Sequence, residues 1–307
     1  MADLRNPWLV ASWPGMGAVA QLATGYLAQN LGARVLTELA VGEHFGPSGV
    51  QVREGILQPV RRPRTLIAEA RLATAPRDLA ILMAEGQPTV GERRYCEQIL
   101  VKARELGVER VFTFAAMATA SPPSAAARVF AAATDAKLLS HLREQGVELL
   151  MDGEIGGMNG YFVAVAAELG FGGACLLGEI PFFASSMPNP KASAAVLRLF
   201  ARLSGATLDL GALERQGAEV ERQLLALQSQ VEEQLRHQHE DEPEHEAGWP
   251  AAEREGLPEH ELEHIESLFR DAGADRSKAL TLKAELDRLG VFAKYEDRFL
   301  DLFKRAG

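Results

Sequence analysis

The 307-residue chain has only two cysteines, Cys96 and Cys175, and they do not form a CxxC pair. That excludes a disulfide scaffold and a thiolate zinc cluster, and it suits a reducing compartment, so a cytoplasmic protein is expected. Both thiols sit in apolar or helical surroundings, which reads as packing rather than nucleophilic chemistry. Positive charge is in deficit: 32 basic against 42 acidic residues give a formal charge of −10. A chain this acidic repels a phosphate backbone, so binding of nucleic acid by bulk charge is excluded, and Arg61, Arg62 and Arg64 read as a solvated loop. Long apolar runs are missing, as is a basic segment followed by an apolar one at Met1–Pro7, so no membrane span and no signal peptide are expected. The G-x-S-x-G pattern of a nucleophile elbow does not occur, and no Ser-His-Asp order is visible.

What is present is an alternation of short apolar runs and helical periods. Residues 8–11 read as a buried strand, followed by a turn at Pro14-Gly15-Met16-Gly17 and a helix over 18–31. Strand candidates follow at 34–41, 50–52, 56–60, 64–70 and 78–84, with 41–65 read as a β-meander turning at Gly46-Pro47 and Arg62-Pro63. Helix 91–106, strand 109–115, strand 128–133, helix 135–145, helix 160–169, strand 173–178 and helix 191–204 complete the pattern. Such alternation predicts an α/β domain over about 1–208 with one mostly parallel sheet.

Beyond residue 208 the character changes. Leu213, Val220, Leu224, Leu227, Val231 and Leu235 recur at steps of mostly three and four, a coiled-coil-like helix over 209–236 that Gly217 weakens at one position. Residues 237–257 are acidic and carry Pro243 and Pro250, which predicts a mobile linker. His237, His239 and His245 in that stretch have no cysteine nearby and read as solvated, so no metal site is expected. Residues 258–307 read as short amphipathic helices that either pack on the α/β domain or bind partners.

Two glycine-rich loops carry whatever chemistry the chain has. Gly15-Met16-Gly17-Ala18-Val19-Ala20 matches G-x-G-x-x-A between a strand and a helix, with Glu38 about twenty residues on. That context admits a dinucleotide fingerprint, but a tight strand-to-helix turn explains the same glycines, and no cofactor is expected. Gly153-Glu154-Ile155-Gly156-Gly157-Met158-Asn159-Gly160 precedes the next helix and could cradle a small anion. In a parallel sheet both loops fall at one edge, so they should be neighbours around a cleft. The candidate cleft residues are Gly15, Met16, Gly17, Glu154, Gly157, Asn159, Gly160 and Glu179, the carboxylates with Glu85 being the possible acid–base groups.

Three motifs occur in order: Trp13-Pro14-Gly15-Met16-Gly17, then Gly153–Gly160, then Cys175-Leu176-Leu177-Gly178-Glu179 followed by Asn189-Pro190-Lys191-Ala192. Glu85-Gly86-Gln87-Pro88 and Tyr95 are weaker echoes of the same pattern. Together they resemble the proteasome assembly chaperone 2 family over about residues 7–210. The resemblance implies a three-layer α/β/α fold similar to nucleoside phosphorylases, homo-oligomers, and a role in protein interaction or assembly, with another protein complex as partner. The rival reading is an enzyme or a binder of a small anion or nucleoside in the cleft. Ala18 departs from the family pattern, where an asparagine is common, and Lys304-Arg305-Ala306-Gly307 lacks the hydrophobic-Tyr ending of proteasome-docking tails, so docking by that route is not expected.

Overall fold

The computed structural model describes residues 4–46, 50–240, 259–274, 278–289, 291, 294–295 and 298–299. They fall into two compact units, residues 1–239 and 240–307.

In the first unit, the most apolar runs become the middle of the sheet. Strand β1 (Trp8–Ser12) is buried at every position, which requires cover on both faces. Helix α1 (Val19–Asn30) follows, then β2 (Arg34–Glu38), a hairpin of β3 (Val52–Arg53) and β4 (Ile56–Leu57), β5 (Thr65–Ala70) and β6 (Leu79–Ala84). Next come α2 (Glu92–Glu105), β7 (Arg110–Thr119), β8 (Val129–Ala133), α3 (Ala136–Glu144), β9 (Glu148–Leu149), α4 (Met158–Glu168), β10 (Gly172–Pro181), α5 (Pro190–Ser204) and α6 (Gly211–Glu240). The helix starts have local causes. The Asp135 carboxylate accepts from the Leu138 N–H at 2.8 Å, and the Asn189 side chain accepts from the Ala192 N–H at 3.0 Å, with Pro190 opening α5.

Eight strands form one sheet in the order β2-β5-β6-β1-β7-β10-β8-β9. Its centre, β6-β1-β7-β10, is parallel, with Val10 opposite both Ile81 and Phe112. The flanks bring in antiparallel pairs: β2 with β5, β5 with β6, and β8 with β10. Leu9, Ala11, Ile67 and Leu82 pack under α2 and α4 through Ile99, Leu100, Phe162 and Val165. Val10, Ile81, Phe112 and Phe114 pack on the opposite face against α1, α3 and α5 through Leu27, Leu138, Val196 and Phe200. The result is the three-layer α/β/α arrangement with a mostly parallel sheet.

One local reading is corrected. The 41–65 stretch is not a meander; among its described residues it holds a single two-by-two hairpin turning at Glu54-Gly55, both at positive φ (52° and 78°), the backbone of a tight hairpin turn. His44 is buried, with Nδ1 2.9 Å from the Val90 carbonyl and Nε2 3.0 Å from Gln98 Oε1. Arg61 and Arg64 lie exposed on a loop, as expected, and both clasp Glu85, at 2.7 and 2.8 Å.

The first half of α6 packs on its own unit. Leu213 joins the core, and Gly217 allows the helix to lie 3.1 Å, measured from an added Cβ, from the Lys191 backbone. Lys191 ties the contact with ion pairing to Glu221 at 2.6 Å. Of the expected 237–257 linker, residues 237–240 close α6, and 241–257 lie outside the described residues, as does the Lys304–Gly307 ending. In the second unit, α7 (Glu259–Ala274) and α8 (Ala279–Arg288) bury Ile265, Phe269, Ala272, Leu282 and Leu286 together. No described helix is long and apolar enough to cross a membrane.

Candidate functional site

The loops that follow β1, β9 and β10 come together beside the C-terminal half of β7. Beneath them lies a buried polar and aromatic support. The Trp13 indole N–H donates to Tyr95 Oη at 3.0 Å, and Tyr95 Oη meets Thr65 Oγ1 at 2.8 Å. The Trp13 ring lies 4.9 Å from that of Phe162 on α4, and His44 stands edge-on to Tyr95 at 5.6 Å. Buried hydroxyl and indole groups are thereby satisfied, which fixes the ring positions.

On this support the two glycine loops are clamped. Asn159 Oδ1 accepts from the Trp13 N–H at 3.0 Å, Asn159 Nδ2 donates to the Trp13 carbonyl at 3.2 Å, and Thr113 Oγ1 donates to the Asn159 carbonyl at 2.6 Å. Gln87 bridges the same loops, donating to the Pro14 carbonyl at 2.6 Å and accepting from the Met158 N–H at 3.3 Å. The third loop, after β10, is tied in by the Gly17 N–H donating to the Ser185 carbonyl at 2.7 Å and the Asn189 N–H donating to the Gly17 carbonyl at 2.8 Å. Gly17 stands at φ 60°, and a Cβ there would meet Val19, Asn189 and Ile180 at 3.3–3.4 Å, so this turn requires glycine for both conformation and space.

The loops enclose a cavity of about 440 Å³ lined by Gly15, Met16, Gln87, Glu154, Gly157 and Asn159. Five of the eight expected residues therefore share one cleft. The other three stand elsewhere. Gly17 is buried beneath the turn. Gly160 packs on Ile155, whose carbonyl would lie 2.6 Å from an added Cβ. Glu179 is buried among other partners: Thr119 Oγ1 donates to it at 2.7 Å and Arg128 Nε at 2.9 Å, while Arg128 also holds Glu148 at 3.0 Å. Arg128, with Thr119 and despite burial, holds the Glu179 carboxyl down at about 2. Glu85 is likewise pulled below its ordinary value: burial opposes ionisation, but Arg64 and Arg61 outweigh it. Both carboxylates are thus ionised partners of arginine, so neither is an acid at neutral pH, and neither lines the cleft with Glu154.

Asn159 differs from the expectation in kind. It lies in the first turn of α4 instead of the preceding loop, and its amide is committed to the Trp13 backbone. Gln87 and Asn189 are the tying residues that reading the sequence missed; Gln87 had only the weak signal of its Gly-Gln-Pro context.

The dinucleotide alternative fails on topology. Such a fingerprint needs the acidic residue on the strand beside β1. Here β5 and β6 intervene between β1 and the strand that bears Glu38, and the Gly17 N–H already serves Ser185. Burial pushes the Cys96 and Cys175 thiols up to about 12, which leaves them unreactive. No cluster of His, Cys, Asp and Glu suited to a metal ion exists among the described residues.

Known structures share this architecture. A Mycobacterium tuberculosis proteasome-assembly chaperone homologue is 22% identical with a TM-score of 0.62, covering 72% of this chain and 94% of its own. The Pyrococcus furiosus archaeal proteasome activator PbaB is 23% identical with a TM-score of 0.63, covering 74% and 96%. A PAC2 family protein from Streptomyces avermitilis is 23% identical with a TM-score of 0.62, covering 72% and 95%. At these identities the likeness shows the fold alone. Among curated proteins none matches the chain. The model of the PAC2 family matches residues 9–228, from β1 through the clamped loops and into α6. The chain belongs to the PAC2 family.

Proposed function

We propose that this protein acts by protein interaction, as an assembly-chaperone-like factor that joins copies of itself and engages another protein complex. The carrying observation is the β3–β4 hairpin. Val52, Ile56, Leu57 and Val60 on and beside it are 62–70% exposed, so its apolar side chains have little cover among the described residues. A two-stranded hairpin is at best marginally stable alone in water, and a cluster of exposed apolar side chains marks a contact surface. The names of the structural relatives, a proteasome activator and a proteasome-assembly chaperone homologue, support the choice of an assembly role. Capture of proteasome subunits or another defined complex by the tagged full chain tests it. The reading expects stoichiometric recovery that is lost in Ile56→Asp/Leu57→Asp; equal recovery by wild type and variant contradicts it.

A second reading rests on the 440 Å³ cavity between the glycine loops, which is large enough for a small ligand and lies where open α/β sheets bind them. A thermal-shift screen of phosphate, nucleosides and nucleotides tests it. A shift abolished by Glu154→Gln or Gln87→Ala supports a ligand there, and no shift leaves protein interaction as the function.

A further inference from the structure

At the opposite end of the sheet lies a larger cavity, about 730 Å³, that neither glycine loop touches. Its walls come from the N-terminal strand ends. Trp8 opens β1 opposite Arg110, which opens β7, and Arg77 stands two residues before β6. Lys137, Ser140 and His141 face it from α3. The floor is apolar: Phe112, Leu138 and Leu203.

Three features of this cavity concern charge. First, the side chains of Arg77, Arg110 and Lys137 make no hydrogen bond or ion pair among the described residues. In a chain with ten more acidic than basic residues, three cations without an ion pair share this one hollow. Second, Arg77 is held in place: its Cζ lies 3.7 Å from the centre of the Trp8 ring, and Arg110 Cζ lies 5.9 Å from it. Third, the buried donors Arg77 Nε and Trp8 Nε1 have no acceptor, although Trp8 is only 7% exposed. Leaving buried N–H groups unmade costs free energy, so a small side-chain movement that brought either donor to an acceptor held in the cavity would be stabilising. Glu109 and Glu144 also face the cavity, setting two carboxylates against three cations.

We propose that this cavity is a binding site for a small phosphate monoester. Arg77 and Arg110 present planar donor forks suited to phosphate oxygens, with Lys137 as a third cation. A phosphate monoester carries about −1.5 to −2 charge at neutral pH; the three cations less the two carboxylates leave the lining one net positive charge, which neutralises the ester in part. The volume exceeds what inorganic phosphate fills, and the apolar floor accepts the organic body of the ester. Since Phe112 packs 4.9 Å from Trp8 and Arg77 covers the indole as well, the ring is a donor and a support for Arg77 more than a stacking platform.

The test is titration calorimetry of the full chain at low salt with glucose 6-phosphate and adenosine 5′-monophosphate, with glucose and adenosine as controls, alongside tryptophan fluorescence. The site predicts that at least one ester saturates at about millimolar or tighter concentration, while its parent alcohol gives no heat. Arg77→Gln, Arg110→Gln and Lys137→Gln each weaken binding about tenfold or more, as loss of a charged hydrogen bond does. Trp8→Phe removes the fluorescence response and weakens binding in the same direction, and Glu154→Gln at the other end of the sheet leaves it unchanged. Lys137 is exposed, so its variant folds whatever the arginine variants do. No binding by either ester, or binding by Lys137→Gln equal to wild type, overturns the assignment.

Discussion

At the scale of single residues, Asn159 and Glu179 show how a motif residue differs from a ligand-binding one. Asn159 spends its amide on both backbone groups of Trp13. Asn159→Ala leaves a buried N–H and carbonyl unpaired, so it is expected to destabilise the fold by about 2–4 kcal/mol. Urea unfolding measures this, and an unchanged midpoint would show that the clamp is not structural. Ala18 is the converse case. It adopts the left-handed region at φ 48°, which costs a residue with a Cβ about 1–2 kcal/mol and suits glycine or asparagine better. Ala18→Gly is expected to raise the melting temperature; no rise would mean that the Cβ repays its strain through contacts. Glu179 sets a pH dependence. Its carboxyl is held at about 2 in the fold against an ordinary 4.5, so its contribution is present above about 4.5 and is lost as pH falls towards 2. Stability measured over that window should fall less steeply in Glu179→Gln than in wild type, and equal slopes would contradict the assignment.

Between the residue and the whole stand the elements, and here the sequence was informative in proportion to how local the cause is. Strands β1, β5, β6 and β10 and helices α1, α2, α3 and α5 were legible because apolar runs, periods and caps lie within each segment. The two-residue β9 was not, since nothing in two residues distinguishes a strand from a loop. Direction was also hidden: β5 and β8 run antiparallel to their central neighbours, and an apolar run carries no sign of direction. The two glycine loops are neighbours as expected, but the reason differs: the second follows β9, which runs against the central strands, and the loops meet because each opens a helix, α1 or α4, that packs on the centre of the sheet. The residues that tie them were not legible, as Gln87 acts on a carbonyl 73 positions away and Asn159 on a backbone 146 positions away. Gly217 read as a weak point in a coiled-coil seam, yet its lack of a side chain is what admits the helix to the Lys191 backbone. That contact turns the first half of the seam inward, so the hairpin offers an outward apolar surface that this half of the seam does not. Hydrogen exchange is therefore expected to slow across β3 and β4 when the wild-type chain is concentrated from nanomolar to micromolar, and concentration-independent exchange there would mean that copies do not meet through it.

For the whole molecule, two ends of one sheet divide the chemistry. The C-terminal edge holds the clamped glycine loops and the exposed Met16, Phe182 and Phe183, and the N-terminal edge holds the cavity of unpaired cations. Membership of the PAC2 family and the three-layer fold do not by themselves assign an activity, since one fold hosts many. The central claim is that copies of this chain join through the apolar hairpin. Light scattering of the full chain at micromolar concentration tests it most directly. The account predicts a mass that is a multiple of 33.3 kDa for wild type and falls to 33.3 kDa in Ile56→Asp/Leu57→Asp. A wild-type chain of 33.3 kDa, or an oligomer that survives both substitutions, would contradict it.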